Sequence, residues 1–141
     1  VGLDVSYLIQ KALIERGFEL YYCRSFEEKY NSREFGMKTG KGFYTYDGKI
    51  IKPSLENAKL VDPSLLVSSA INESYKLIRL GIVSKDDVNK GVKLGLNWPK
   101  TPEDYLKEFG LSSVIRNLKM LYENTGLPHF IPDESLTRSY S

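Results

Sequence analysis

Apolar positions recur at helical spacing over most of this chain, and the places where the period lapses are marked by glycine or proline. Val5, Leu8, Ile9, Ala12 and Leu13 fall at i, i+3, i+4, i+7 and i+8, one face of a helix over about Leu3–Arg16. Gly17 is its expected stop, because glycine enters the left-handed conformation at little cost. A short charged helix is expected around Phe26–Tyr30, with Ser25 as cap. The period then fails in the glycine-rich stretch Gly36-Met37-Lys38-Thr39-Gly40-Lys41-Gly42. Phe43-Tyr44-Thr45-Tyr46, Asp47-Gly48 and Lys49-Ile50-Ile51 follow, and Asp-Gly between aromatic and β-branched runs predicts a hairpin with a type I′ turn.

The second half is helical and well punctuated. Asp62-Pro63 supplies a cap and a first-turn proline to a helix carrying Leu66, Val67, Ala70, Ile71, Leu77 and Ile78 and stopping at Gly81. Ser84 opens the next, with Asp87 three residues on as in a capping box and Val83 and Val88 as a hydrophobic staple, and it ends near Gly95. Thr101-Pro102 opens a third, which contributes Tyr105, Leu106 and Phe109 and stops at Gly110. A last long helix, about Ser112–Asn124, uses Val114, Ile115, Leu118, Leu121 and Tyr122. The class is mainly α with one short β-hairpin.

Two stretches share a plan. Gly2-Leu3 and Gly110-Leu111 each lead through a short polar step into an amphipathic helix, and each helix ends at a glycine, Gly17 and Gly126. The starts stand 108 residues apart and the ends 109, a spacing that suits a duplicated unit of about 100 residues, although glycine-bounded amphipathic helices also resemble one another by chance.

Composition narrows the function classes. With 20 basic and 18 acidic residues the net charge of +2 offers no nucleic-acid footprint. No apolar run approaches the roughly 20 residues that span a bilayer. The single cysteine, Cys23, excludes an internal disulfide and fits a reducing cytoplasm, and it is expected as a packed thiol. The single histidine, His129, follows Pro128 in a loop and argues against a histidine-based zinc site; it is expected as a turn residue rather than a base. Asp86-Asp87 and Glu103-Asp104 are expected as helix-start charges. Gly91 and Gly95 are expected to pack closely on a neighbour, and Trp98-Pro99 to anchor a turn to the core.

Gly36–Gly42 invites comparison with a phosphate-binding loop and fails it. Three residues, not four, precede Gly40-Lys41, Gly42 replaces the hydroxyl residue, and a strand rather than a helix is expected to follow. No Gly-x-Gly-x-x-Gly fingerprint occurs. Two readings of the stretch stand: a flexible basic lead-in to a hairpin, or a loop from which Lys38 reaches an anion in a neighbouring cleft.

Taken together, Gly2-Leu3-Asp4-Val5, the segment Gly36–Tyr46, Asn72-Glu73, Gly81–Val88 and Lys93-Leu94-Gly95-Leu96-Asn97-Trp98-Pro99 resemble the C-terminal helical domain of the 3-hydroxyacyl-CoA dehydrogenase family. The Lys-Thr-Gly-x-Gly-Phe-Tyr segment is the most specific of these, and the resemblance leaves out only the last dozen or so residues. It implies a fold like the C-terminal domain of 6-phosphogluconate-dehydrogenase-type enzymes. It divides the chain into residues 1–52, the end of a first C-terminal unit; 53–131, a second unit; and 132–141, a tail or linker, beyond which some members continue into an enoyl-CoA hydratase domain. It implies fatty-acid β-oxidation chemistry, in which 3-hydroxyacyl-CoA, such as 3-hydroxybutyryl-CoA, is oxidised with NAD. The nucleotide-binding domain and its His–Glu base pair are expected outside this chain, which starts at Val1 within an apparent folded element and is read as a fragment inactive by itself. Lys38 matches the family lysine that contacts the nicotinamide cofactor. Ser68 stands where the substrate-side asparagine is expected, Asn72 matches a structural position, and Thr101 replaces a glycine. The second unit is therefore expected to be non-catalytic, packing on the first as one subunit packs on another in dimeric members. Expected partners are the acyl-CoA substrate, the chain's own nucleotide-binding domain and a homodimer mate, with neither nucleic acid nor membrane. The alternative class is a stand-alone helical protein-interaction module, which would share the lack of catalytic residues but has no need of the Lys-Thr-Gly segment.

Overall fold

Local capping chemistry sets where most of the helices begin. In the computed structural model, which describes residues 2–48 and 62–138, the α-helices are α1 (Leu3–Glu15), α2 (Arg24–Asn31), α3 (Pro63–Arg79), α4 (Lys85–Gly95), α5 (Pro102–Phe109), α6 (Leu111–Thr125) and α7 (Glu134–Arg138). Asp62 caps α3 by accepting from the Ser64 N–H at 2.9 Å. Thr101 and Asp104 form the full reciprocal capping box on α5, at 3.2 and 3.0 Å. At α4 only half of the expected box forms. Ser84 Oγ accepts from the Asp87 N–H, but the Asp87 carboxylate takes the Ser84 hydroxyl rather than its N–H. Helix α2 starts earlier than expected, with Cys23 and not Ser25 at the cap. Gln10 sets that boundary from α1: its Oε1 accepts from the Cys23 N–H at 2.7 Å and its Nε2 donates to the Cys23 carbonyl at 3.4 Å.

The chain divides into two compact units, Val1–Ala58 and Lys59–Ser141. In unit one α1 packs on α2. Tyr7 of α1 lies 4.6 Å from the Tyr30 ring and Tyr30 lies 5.9 Å from Phe35. Among the described residues of this unit only Gln10, Gly36 and Gly42 are buried.

In unit two α3 is central and packs on α5, α6 and α7. Ile71, Val114, Leu118 and Leu136 form the core, flanked by Val67, Tyr75, Tyr105, Leu106, Leu111 and Phe130. Leu136 belongs to α7, so the stretch 132–141, expected as tail or linker, supplies part of this core. Asn72, itself buried, holds the approach to α7. Its Nδ2 donates to the His129 and Ile131 carbonyls at 3.2 and 2.9 Å, and its Oδ1 accepts from the Asp133 N–H at 2.7 Å. Asp133 then takes a fork of three hydrogen bonds from Arg79. Trp98 meets Tyr105 edge-on at 5.7 Å, as an anchor should.

Two local expectations are corrected. A Cβ added at Gly91 or Gly95 would meet no atom within 4 Å, so no close neighbour uses their smallness in this unit. The expected hairpin is not found as such. Among the described residues there are isolated bridges, Gly36 with Lys41 and Lys41 with Thr45, and no strand. Gly48 has φ +83° but Asp47 is not among the positive-φ residues, and a type I′ turn needs both. The second arm, Lys49–Ile51, lies outside the described residues.

Candidate functional site

The Lys-Thr-Gly segment is built as a tight loop on the N-terminus of α1. Gly36 enters it with φ +100° and Met37–Thr39 make one 3₁₀ turn. Gly40 closes that turn at φ +73°, a conformation unfavourable for any residue with a Cβ. Thr39 serves as the clasp. Its Oγ1 accepts from the Phe35 N–H at 2.9 Å and faces the carbonyls of Lys41 and Gly36 at 3.0 and 3.2 Å. The Gly36 N–H donates to the Lys41 carbonyl at 2.7 Å and closes the loop. Gly42 is required by close approach, since a Cβ there would stand 2.8 Å from Gly36 Cα and 3.1 Å from Leu3 Cδ1. The order Gly-x-Lys-Thr-Gly-x-Gly thus has a local reason at each fixed position except the lysine.

Lysine 38 is explained by α1. The Leu3 N–H donates to the Phe35 carbonyl at 3.1 Å, which seats the loop on the first turn of the helix. Lys38 Nζ then reaches Asp4 Oδ2 at 2.5 Å and lies 5.4 Å from the centre of the Phe35 ring. Its hydrogen bond holds the Asp4 carboxyl below the usual carboxylate range against the opposing effect of desolvation. A Cβ at Gly2 would fall 2.3 Å from Asp4 Oδ1 and 2.8 Å from Lys38 Nζ, so a side chain there would have to displace the ends of the pair. A second tie fixes the far side of the loop. Glu34 pairs with Lys41 at 2.6 Å and with Lys29 at 2.5 Å, and its carboxyl is lowered by both, Lys29 first. Beside Lys38 opens a cleft of about 500 Å³ whose walls include Phe35, Met37, Phe43, Tyr44 and Tyr46. One cation in an aromatic-lined cleft can take a flat, anionic ligand group.

The chain is 31% identical, over 99% of its length, to the fatty acid oxidation complex subunit alpha of Vibrio vulnificus. It is 27% identical, over 93%, to the peroxisomal bifunctional enzyme of Cavia porcellus. It spans less than a quarter of the length of these curated relatives, 22% and 23%. Among solved structures, 3-hydroxybutyryl-CoA dehydrogenase from Escherichia coli matches 98% of the chain with a TM-score of 0.72. That match covers 48% of the neighbour at 14% identity, a likeness of fold. No protein-family model matches. These comparisons support a relationship to the 3-hydroxyacyl-CoA dehydrogenase family. The chain corresponds to a helical C-terminal part of the longer members.

The family's remaining landmarks fall in unit two and are structural there. Ser68 is wholly buried, donating to the Ser64 carbonyl at 2.6 Å and receiving the Asn117 amide at 3.3 Å. Asn117 also donates to Ser64 Oγ at 2.8 Å, so the three side chains tie α3 to α6. Asn72 is spent on the backbone leading to α7, and His129 contributes its carbonyl while its ring lies against Phe130. Thr101 uses its hydroxyl in the capping box. Glu103 bridges Lys85 at 2.6 Å and Lys107 at 3.2 Å, so the acidic helix starts are occupied by capping and ion pairs. Sequence reasoning missed Asp4 as the partner of Lys38. The clue was available: an acidic residue in the first turn of a helix whose cap is a glycine with no side chain to offer.

Proposed function

We propose that this chain is the helical, substrate-side and dimerisation region of an NAD-dependent (S)-3-hydroxyacyl-CoA dehydrogenase, acting in fatty-acid β-oxidation on 3-hydroxyacyl-CoA thioesters to give 3-oxoacyl-CoA. The observation that carries this reading is the Gly36–Gly42 loop seated on α1, in which the five fixed positions of a family segment each have a local job and Lys38 stands at the rim of an aromatic-lined cleft. NAD, bound mainly by a nucleotide-binding domain outside residues 1–141, supplies the hydride acceptor; the His–Glu base belongs to that same domain. Lys38 is the cofactor-side residue of this chain. Asp4 engages one of the three N–H donors of its ammonium, and the side chain is 48% exposed, which leaves donors for an anionic group. Asp4 orients the lysine and lowers the cost of holding it in place. Unit two acts as a brace, which the burial of Ser68 supports, since a hydroxyl enclosed between α3 and α6 meets no substrate. Among the described residues no helix is long and apolar enough to cross a membrane, and a cytoplasmic site of action accords with the lone thiol.

The test replaces the matching half of the Escherichia coli 3-hydroxybutyryl-CoA dehydrogenase with this chain. The chimera is expected to oxidise 3-hydroxybutyryl-CoA with NAD, while residues 1–141 alone give no turnover. A folded chimera without activity, or turnover by the chain alone, overturns the reading. In the active chimera Lys38→Ala is expected to raise the KM for NAD several-fold with kcat little changed. An unaltered KM removes Lys38 from the cofactor site.

A further inference from the structure

Unit two holds a cavity that the packing of its core leaves unfilled. About 340 Å³ of space lies beside Tyr75 of α3, with Leu106, Leu111 and Leu136 as apolar walls and Glu103 and Lys107 of α5 as its charged part. Leu136 is 1% exposed and the Lys107 side chain 71%, so the cavity runs from an apolar floor to a charged rim. A smaller cavity of about 110 Å³ lies against the same Tyr75 and Glu103, between α3 and α4. Tyr75 and Glu103 are the residues common to both.

The chemistry of the rim defines a ligand. Tyr75 packs against the core, yet its hydroxyl has no hydrogen-bond partner among the described residues. A phenol set into an apolar wall ordinarily finds one. Burial first, then Glu103, hold that phenol above its ordinary range, so it keeps its proton and can donate. The charges that act on it are Glu103, Lys85 and Lys107, which sum to one positive charge. Glu103 accepts from Lys85 at 2.6 Å and from Lys107 at 3.2 Å, which leaves each ammonium with donors to spare. The neighbouring acids do not cancel that charge at the phenol. Asp86 bears on Lys85, and Asp104, which Lys107 also reaches, is turned to the Thr101 cap. Two donors, Tyr75 Oη and Lys107 Nζ, thus flank one apolar cavity. Their complement is a group with two acceptor oxygens, one negative charge and an aliphatic chain. An alkylammonium would add a third cation beside two lysines.

We propose that this cavity of unit two binds a small aliphatic monocarboxylate, with its chain on Leu106, Leu111 and Leu136 and its carboxylate accepting from Tyr75 Oη and Lys107 Nζ. The volume stands at the small end of the roughly 300–1,000 Å³ usual for small-molecule sites, which suits hexanoate and not a long fatty chain. The site lies within unit two. The inference rests neither on the dehydrogenase reading nor on the Lys38 cleft, and its test involves no turnover.

Hexanoate is titrated into the chain carrying carbon-13 at its leucine methyl groups, and binding is followed by NMR. Saturable shifts are expected at Leu106, Leu111 and Leu136, with the exposed Leu8 and Leu94 unmoved. Acetate, which lacks the chain, and hexylamine, which reverses the charge, are expected to bind at least about five-fold more weakly. Tyr75→Phe keeps the ring in the wall and removes only the hydroxyl; it is expected to weaken hexanoate about three- to ten-fold. Lys107→Met keeps the stem of an exposed side chain and should weaken it about two- to five-fold, while Lys119→Met on α6, outside the cavity, leaves it unchanged. Neither cavity variant removes a buried apolar group, and thermal melts confirm that both are folded. Shifts that never saturate, or that spread to Leu8 and Leu94, overturn the proposal. So does hexylamine binding as tightly as hexanoate, or a Tyr75→Phe chain that binds hexanoate like the native one.

Discussion

Helices α1 and α6 are written to one plan, Gly-Leu at the start and a left-handed glycine at the end, yet they sit in opposite surroundings. The seam formed by Val114, Asn117 and Leu118 is closed by α3, while the corresponding Val5, Leu8 and Ile9 are open. The back face differs as well. Tyr7 and Gln10 of α1 are engaged by α2 and its cap, whereas Arg116, Lys119 and Glu123 of α6 are polar and line an open groove. Periodicity therefore specifies that a helix forms and which side is apolar; it does not specify what covers that side. The units differ in their means of support accordingly. Unit two rests on a buried cluster of aliphatic residues, and unit one on aromatic contacts, a glutamine clasp and ion pairs around a glycine loop.

The comparison is broken most directly by shaving matched positions. Leu118→Ala should cost about 2–5 kcal/mol, because it opens a cavity at a fully buried site. Ile9→Ala, its counterpart, should change stability by no more than about 0.5 kcal/mol. Urea unfolding of both variants settles it, and equal losses would mean that α1's seam is covered within the chain. Next in size is Asn117→Leu, which rewrites α6 toward α1. It removes the amide that donates to the buried Ser64 and Ser68 hydroxyls and should cost about 1–3 kcal/mol. Adding Ser64→Ala and Ser68→Ala should restore most of that loss. A triple variant no better than the single one would show that shape, rather than the polar tie, governs the α3–α6 contact.

Two glycines sharpen the contrast on a smaller scale. Gly42→Ala forces a Cβ to 2.8 Å from Gly36 Cα and should destabilise unit one by about 1–3 kcal/mol. Gly91→Ala meets nothing within 4 Å and should be neutral or stabilise α4 by up to about 1 kcal/mol. Thermal melts of the two variants moving in the same direction would refute the assignment of Gly42 to close approach.

Much of this architecture was legible in the chain. Asp62-Pro63, Thr101-Pro102 and the stops at Gly17, Gly81, Gly110 and Gly126 act locally, so their meaning needs no knowledge of neighbours. What could not be read depends on residues far apart in sequence. Lys38 meets Asp4 across 34 positions and Asn72 meets Asp133 across 61; Asp4 is marked locally as a first-turn acid, but nothing local names the partner in either pair. The same reason hid α7. Its five residues are too few to show a period, and Leu136 became a core residue through Asn72's hold on the preceding backbone. The hairpin failed differently. Asp-Gly is a strong turn signal, but the preceding aromatic run was already committed to the loop by Gly42 N–H to Tyr44 carbonyl and Tyr46 N–H to Gly40 carbonyl bonds of 2.8 Å.

Acid should separate the two kinds of support, with the smallest effects on stability and the clearest on titration. Asp4 and Glu34 are held below the ordinary carboxylate range by lysines at the surface of the loop. Asp133 is held far lower, first by the Arg79 fork and then by the Ser135 hydroxyl and N–H, and it is buried. A carboxyl whose folded value lies below its unfolded one, ordinarily about 4, contributes stability that is fully present above the unfolded value and is lost as pH falls through the folded one. On acidification the ties of the Lys38 loop should therefore weaken first, while the Arg79–Asp133 fork persists to lower pH and keeps α7 on α3. Carboxyl carbon titrations by NMR should place the Asp4 and Glu34 midpoints above that of Asp133, and Arg79→Met should bring Asp133 back toward the ordinary range without moving Asp4. If Asp133 instead titrated together with Asp4, the fork would be no better sheltered than a surface pair, and the distinction between a loop held by exposed ions and a unit held by its core would fail at that point.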